Sequence, residues 1–237
     1  MCGRLGQVDR YVQEYLDTRG FKWDLFDFPM TNYVKVKSPT FAIGYSSEGD
    51  ILPLVGTFGY QPIYSPQKVW INARAEGKEG KASLNTEDDS NYNGPYNIAK
   101  NSGFSHGVKY KRCLIPVSYF IEGPKKERLK KPFVIRRKDK KAFALAGIYS
   151  IVEDTPRMGV VTTAASDLLR EQVSHHRSPF SLTLEEEGKW LQHDVHEDIS
   201  KMIHIPDTSG FEAIRISNEM LIAGSIDETI ERALEEY

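Results

Sequence analysis

Apolar positions follow a helical spacing at the start of the chain and a strand-like one through most of the rest. Val8, Tyr11, Val12, Tyr15 and Leu16 recur at i, i+3, i+4, i+7 and i+8, which predicts an amphipathic helix. Strands are predicted at Phe41–Tyr45, Leu52–Tyr60, Val69–Glu76, Cys113–Glu122, Phe133–Arg137, Phe143–Val152 and Gly159–Thr163. Their β-branched and aromatic content, punctuated by Gly, Pro and Asp, fits a mainly antiparallel sheet. Arg137–Lys141 reads as a hairpin turn. Thr183 and Glu186 have the spacing of a capping box, which opens a helix through Trp190 and Leu191. A short last helix is predicted from near Ile226, with Ile230 and Leu234 on one face. Gly77–Asn101 is polar and rich in Gly, Asn and Ser, as in a long surface loop. With no repeat and no linker, the expectation is one α+β domain over residues 1–237.

Composition narrows the setting. The chain has 237 residues, 40% hydrophobic and 27% charged, the balance of an ordinary globular protein. No apolar run approaches the ~20 residues of a membrane span, and no signal-peptide pattern opens the chain. Cys2 and Cys113 form no disulfide framework and suit a reducing compartment, so a cytoplasmic location is expected. The net charge of −2 hides a strong asymmetry. Residues 104–141 hold thirteen Lys or Arg against three acids, and residues 185–237 hold four against fourteen. Such polarity flags a polyanion-facing surface, although Lys125–Lys131 by itself reads as solvated.

Four places could carry chemistry. Cys2 follows Met1 directly, and loss of Met1 would leave an α-amine and a thiol on adjacent carbons. The amine titrates near ~7.7–8.0 and the thiol near ~8.5, so such an aminothiol can attack an aldehyde through nitrogen and close a thiazolidine ring through sulfur. In Trp70-Ile71-Asn72-Ala73-Arg74-Ala75-Glu76, strict alternation puts Trp70, Asn72, Arg74 and Glu76 on one face, suited to orienting a polar ligand and holding a phosphate. Glu122 ends an apolar strand, where partial desolvation raises a carboxyl toward acid–base duty. His175-His176-Arg177 precedes Pro179 and offers a proton carrier near an anion site, although adjacent histidines at a turn more often lie exposed. His193 and His196 have loose metal-ligand spacing, but no further cluster completes a metal set. P-loop, Gly-x-Gly-x-x-Gly and Gly-x-Ser-x-Gly motifs are absent, so nucleotide hydrolysis and α/β-hydrolase chemistry have no support.

In order along the chain, Met1-Cys2-Gly3-Arg4, Asn72-Ala73-Arg74-Ala75-Glu76, Cys113-Leu114-Ile115-Pro116 leading to Glu122, Thr162-Thr163-Ala164-Ala165 and His175-His176-Arg177-Ser178-Pro179 resemble the SRAP family of abasic-site-processing proteins. The resemblance implies an α+β fold built on a barrel-like, mainly antiparallel sheet with flanking helices. It also implies a partner, single-stranded DNA containing abasic sites, whose ring-opened aldehyde condenses with the N-terminal cysteine as a thiazolidine cross-link. Carried over by position, Cys2 is the covalent nucleophile, Asn72 orients terminus and sugar, Glu122 shuttles protons and His175 assists. Arg4, Arg74 and Arg177 match phosphate-holding positions, with Trp70 and Thr162 also on the DNA-binding surface. No cofactor and no metal is implied, and a monomer is expected. Gly123 stands where the family usually has tryptophan, Phe58-Gly59-Tyr60-Gln61-Pro62 and Arg177-Ser178-Pro179 depart from its usual runs, and the 77–101 loop is longer. A cysteine-dependent peptidase and a non-catalytic single-strand-binding module are the two other readings.

Overall fold

The apolar spacing from Val8 to Leu16 folds as α1 (Asp9–Thr18), which buries Val12, Tyr15 and Leu16. The computed structural model describes residues 3–23, 28, 33–63, 65, 67–76, 92, 95–192 and 199–221. Ahead of α1 lies β1 (Leu5–Gly6), and after it come β2 (Pro39–Tyr45), β3 (Ile51–Phe58) and β4 (Asn72–Arg74). The middle of the chain forms α2 (Ser105–Tyr110), β5 (Arg112–Val117), β6 (Tyr119–Glu122), β7 (Phe133–Arg137), β8 (Phe143–Val152) and β9 (Thr155–Ala164). Then follow α3 (Asp167–Glu171), β10 (Arg177–Pro179), β11 (Ser181–Leu182), α4 (Leu184–Leu191) and β12 (Phe211–Arg215). The last helix expected near Ile226 lies outside the described residues, as does most of the 77–101 loop. Of the loop's described part, Ile98 is fully buried.

Strands β3, β2, β5, β8 and β9 close into a five-stranded barrel, because β9 bonds to β8 on one edge and to β3 on the other. The β3–β9 pairing is parallel, whereas the β2–β3, β2–β5, β5–β8 and β8–β9 pairings are antiparallel. A second, antiparallel sheet runs β1-β6-β7-β12. Alternation sorts the side chains into two layers. Ala42, Leu54, Phe58, Cys113, Ile115, Leu145, Met158 and Val160 fill the barrel, and that cluster continues through Leu5, Phe120 and Ile135 of the second sheet. Phe41, Ile43, Leu114, Ala146 and Val161 face outward beneath α1, α2 and α4. The capping box of α4 forms as expected, with Thr183 and Glu186 each bonding the other's backbone N–H.

The stretch predicted as one strand from Cys113 to Glu122 breaks at Ser118. Its N–H donates to the Gly6 carbonyl (2.8 Å) and its hydroxyl accepts from the Val8 N–H (3.2 Å), so the chain leaves the barrel and enters the second sheet there. Gly6 makes this crossing possible, since a Cβ on it would fall 2.2 Å from the Tyr119 ring. Next to the crossing, β2 and β5 pair through Ile43 and Leu114, and the following partners in that register would be Phe41 and Pro116. Pro116 has no N–H to offer. Gln7, fully buried, takes its place: its amide donates to the carbonyls of Phe41 (2.8 Å) and Pro116 (2.9 Å) and accepts from the Phe41 N–H (3.1 Å).

Much of the basic stretch is matched within the protein. The buried Arg112 guanidinium donates to the carbonyls of Val108 and Lys109, which end α2, and of Trp190 and Gln192, which end α4. Arg136 pairs with Glu212 of β12 and Arg137 with Asp139. Lys126, Arg128, Lys130 and Lys131 are exposed, in keeping with a solvated cluster.

The Gln7 seam gives a direct stability test. Gln7→Leu keeps the volume but orphans three buried backbone groups, each worth about 1–3 kcal/mol. Urea unfolding should show a loss of about 3 kcal/mol or more on that scale. A variant within about 0.5 kcal/mol of the parent, the range of ordinary surface changes, would mean the seam is closed by other means.

Candidate active site

Strand β9 runs past the end of the barrel, and there its edges acquire two new neighbours. On one side β4 pairs in parallel, Asn72 with Val160 and Arg74 with Thr162. On the other side β10 pairs antiparallel, Arg177 with Ala164 and Pro179 with Thr162. Val160 points into the barrel, so the period of two places Asn72, Arg74, Thr162 and Arg177 on that same inward face. Facing them is the second sheet. Phe120 packs into the barrel cluster while Ile121 packs on the sheet's far side, so Glu122 is turned toward the barrel.

Glu122 and His175 meet where these surfaces converge. Both are buried (6% and 4% exposed), with His175 Nε2 3.6 Å from Glu122 Oε1. His175 Nδ1 lies 2.8 Å from the Arg177 carbonyl and 3.3 Å from the Arg177 N–H nitrogen; the carbonyl is the nearer and can only accept, which favours the tautomer with its proton on Nδ1 and the Nε2 lone pair toward Glu122. Burial pushes the Glu122 carboxyl up from its ordinary range, against the pull of neighbouring positive charge, including Arg4, and of the Gly123 N–H. Burial also lowers the His175 imidazole to about 3, helped by the charges of Arg177 and Lys125. The pair is therefore held toward its uncharged forms, an acid beside a base.

Asn72 adds a second signal. It is 9% exposed, and among the described residues neither polar atom of its amide has a hydrogen-bond partner. An unpartnered buried amide costs stability unless something is bound there.

Cys2 lies outside the described residues. Its neighbours are fixed: Leu5 pairs with Phe120, and the Ile121 N–H donates to the Arg4 carbonyl (3.0 Å). Continued by one more place, that register sets Gly3 opposite Glu122, and Cys2 is bonded to Gly3. Arg4 is partly exposed, donates through Nε to the Tyr33 hydroxyl (2.8 Å) and rests over that ring. Arg74 is partly exposed on the face it shares with Asn72.

Two DNA-contact expectations need correction, and Trp70 lies off the face expected for it. Arg177 and Thr162 are 2% and 1% exposed, and the guanidinium is occupied by Glu76 and by the Thr162 hydroxyl and carbonyl. Neither presents a surface to a phosphate. Trp70 does not share the Asn72 face, because the chain bends at Ile71 and the regular strand is only Asn72–Arg74. Its ring instead joins the outer cluster, edge-on to Phe104 at 5.0 Å. Alternation could not foresee a bend that follows from Trp70 bridging to Tyr60.

Of two further neighbours of the pair, Lys125 was not singled out in the sequence, and His176 was expected to lie exposed. The Lys125 N–H donates to the Ser174 carbonyl (3.2 Å), which brings its charge to both histidines. The His176 ring lies tilted against that of His175, their centroids 4.7 Å apart, with its Nδ1 buried and unpartnered among the described residues. Nothing in the run Pro124–Lys131 marks Lys125 apart from the other lysines. Cys113 lies wholly inside the barrel, and burial raises its thiol far above the ordinary range, so it is chemically inert. No group of His, Cys, Asp and Glu among the described residues is arranged to hold a metal.

The family described as SOS response associated peptidase (SRAP) matches residues 1–221. The chain belongs to the SRAP family. That membership makes it a DNA-damage-associated protein with DNA as the suggested partner. The SRAP fold recurs in a solved protein from Bacteroides thetaiotaomicron, 20% identical with a TM-score of 0.62, covering 94% of this chain and 93% of that one. A phage-related protein from Bordetella bronchiseptica shares it at 17% identity and a TM-score of 0.64, covering 91% and 94%. Another Bordetella bronchiseptica protein does so at 14% identity and 0.64, covering 91% and 100%. No curated protein matches the sequence. Among the described residues no helix is long and apolar enough to cross a membrane. This SRAP chain has its own floor beside Glu122: a Cβ on Gly123 would sit 1.9 Å from the Arg128 carbonyl, so the segment after Glu122 packs where a side chain would stand.

The buried imidazole makes the SRAP fold acid-labile. His175 binds its proton near pH 3 when folded and near 6.5 in the ordinary state. Between those values the unfolded chain holds more protons, so stability is intact above 6.5 and falls as pH drops through the window. The stability difference between parent and His175→Asn, from urea curves, should be flat above pH 6.5 and shift against the parent toward pH 3. A pH-independent difference would show an imidazole with ordinary affinity for its proton.

Proposed function

We propose that this protein senses abasic sites in single-stranded DNA and, once Met1 is removed, joins itself to the lesion through Cys2, shielding it as a thiazolidine cross-link. The observation that carries this reading is the buried Glu122–His175 pair, with Glu122 on the strand that pairs with β1, whose first residue, Leu5, is three residues from Cys2. The Glu122 carboxyl, pushed up from its ordinary range by burial, can give a proton to the ring oxygen of a closed abasic sugar while the anomeric hydroxyl gives its proton back to the Glu122–His175 pair, which opens the sugar to the aldehyde. The Cys2 amine adds to that aldehyde, and the reprotonated Glu122 gives its proton to the carbinolamine hydroxyl, which leaves as water while the nitrogen's proton passes back to the Glu122–His175 pair. The thiol then adds to the imine carbon, releasing its proton to the imine nitrogen as the five-membered ring closes. One water leaves for each cross-link formed.

Asn72 supplies its unpartnered amide to the sugar hydroxyls, and neutral His175 relays protons to and from Glu122 through Nε2. Arg4 and Arg74, both partly exposed, hold flanking phosphates. Arg177 and Thr162 act behind this surface. Cys113 cannot substitute for Cys2, because it is sealed in the barrel.

The test is a denaturing gel of Met1-trimmed protein with abasic and intact oligonucleotides. The abasic strand alone should give a heat-stable shifted band. Cys2→Ala should abolish it, Cys2→Ser should leave only a borohydride-trapped band, and Glu122→Gln should slow formation by roughly 10²-fold. Equal shifts with both strands, or none with either, would contradict the proposal. Tight binding unaffected by Cys2→Ala and without adduct would favour the binding module. Cys2-dependent peptide cleavage without adduct would favour the peptidase.

Arg4→Ala and Arg74→Ala should each weaken binding to any single strand and make the salt slope shallower by about 0.7. Arg177→Ala should leave that slope unchanged. A slope shift for Arg177 alone would restore it to the phosphate surface.

A further inference from the structure

Glu76 belongs to none of the proton-transfer or phosphate roles above, yet it is one of the most buried charges in the protein. It is 2% exposed, and its two oxygens receive parallel hydrogen bonds from Arg177 at 2.9 and 2.8 Å. The same guanidinium donates to the Thr162 carbonyl (2.9 Å) and hydroxyl (3.1 and 3.3 Å). A planar fork with every oxygen in reach is the one geometry in which a buried pair holds direction as well as charge. Tyr96 closes this cluster, bonding the Ala164 backbone, and burial followed by the Glu76 charge pushes its phenol up to about 12.

The placement of the pair matters more than its strength. Glu76 lies four residues beyond Asn72, on the segment along one edge of β9. Arg177 lies two residues beyond His175, on the strand along the other edge. The Arg177 carbonyl favours the His175 proton on Nδ1, which turns the Nε2 lone pair to Glu122. One ion pair, laid across Thr162, therefore ties together the two segments that carry Asn72 and His175.

We infer that Glu76 is a positioning residue: by clamping Arg177 it sets both the tautomer and the place of His175 relative to Asn72. This rests on the function proposed above for His175 and Asn72. In the absence of Glu76, the Arg177 charge is left buried and unpaired. In either variant tested below, the fork that ties the two segments together across Thr162 is lost, and the carbonyl that holds His175 moves with its segment.

The test uses Glu76→Gln and the double variant Glu76→Met with Arg177→Met. The double variant guards against simple unfolding, since replacing a buried pair by apolar groups of similar volume is commonly tolerated. Two readouts are taken on folded protein. The first needs no DNA: nitrogen-15 chemical shifts of the His175 ring, which distinguish the tautomers. The parent should show Nδ1–H, and both variants a mixture with Nε2–H. The second is the first-order cross-linking rate at saturating abasic strand, set beside the affinity for intact strand. The rate should fall roughly 10- to 100-fold, as expected for a group misplaced by about 1 Å, while affinity stays within about twofold. Parent-like tautomer and rate in the folded double variant overturn the inference. So does a slower rate with an unchanged tautomer, because Glu76 would then act by another route. If the parent forms no adduct, the functional proposal fails, and the tautomer measurement still decides whether the clamp exists.

Discussion

Strand β9 bonds to four others, and the rest of the structure depends on that saturation. Along its first part it closes the barrel between β8 and β3. Further on, its next residues serve β4 and β10, and β8, where it no longer pairs with β9, pairs instead with β11. Buried backbone donors and acceptors must be paired, so a strand leaving a barrel has to recruit new partners or stop. β9 recruits the two segments that carry Asn72 and His175. The closing of the barrel and the assembly of the site are therefore one event.

The second sheet supplies what the barrel lacks. Ser118 and Gly6 route the chain out of β5 into β6, and β6 delivers Glu122 to the barrel mouth with the start of the chain alongside. Burial then acts on both members of the pair in the same sense, toward loss of charge, raising the carboxyl and lowering the imidazole. A charged acid or a charged imidazole would be poorly solvated in this setting. A carboxyl raised from its ordinary range beside an imidazole held neutral is suited to proton transfer.

Elements dictated by local pattern were legible in the sequence. β7 and β8 match their predicted limits, α1 follows its apolar spacing, and α4 begins at its capping box. The barrel-like, mainly antiparallel α+β fold implied by the resemblance is the fold observed. What the sequence missed depends on contacts between distant segments. The break at Ser118 follows from β1, the bend at Ile71 from the Trp70–Tyr60 bridge, and the burial of Arg177 from Glu76 a hundred residues away. Each of those residues has the right type for a surface role. A guanidinium reads alike in sequence whether it meets a phosphate or a buried carboxylate. The adjacent histidines mislead in the opposite direction: their setting suggested exposure, and His175 is in the core of the site.

The central claim is that the Cys2 amine and thiol together, served by Glu122 and His175, take up an abasic aldehyde. Mass analysis of the nuclease-trimmed adduct tests it most directly. The account predicts a chain lacking Met1, heavier by the abasic nucleotide remnant less one water. The added mass should map to the peptide beginning at Cys2, with its sulfur no longer alkylated and no change after borohydride. An adduct that retains Met1, or one carried by a lysine and reduced by borohydride, would contradict it.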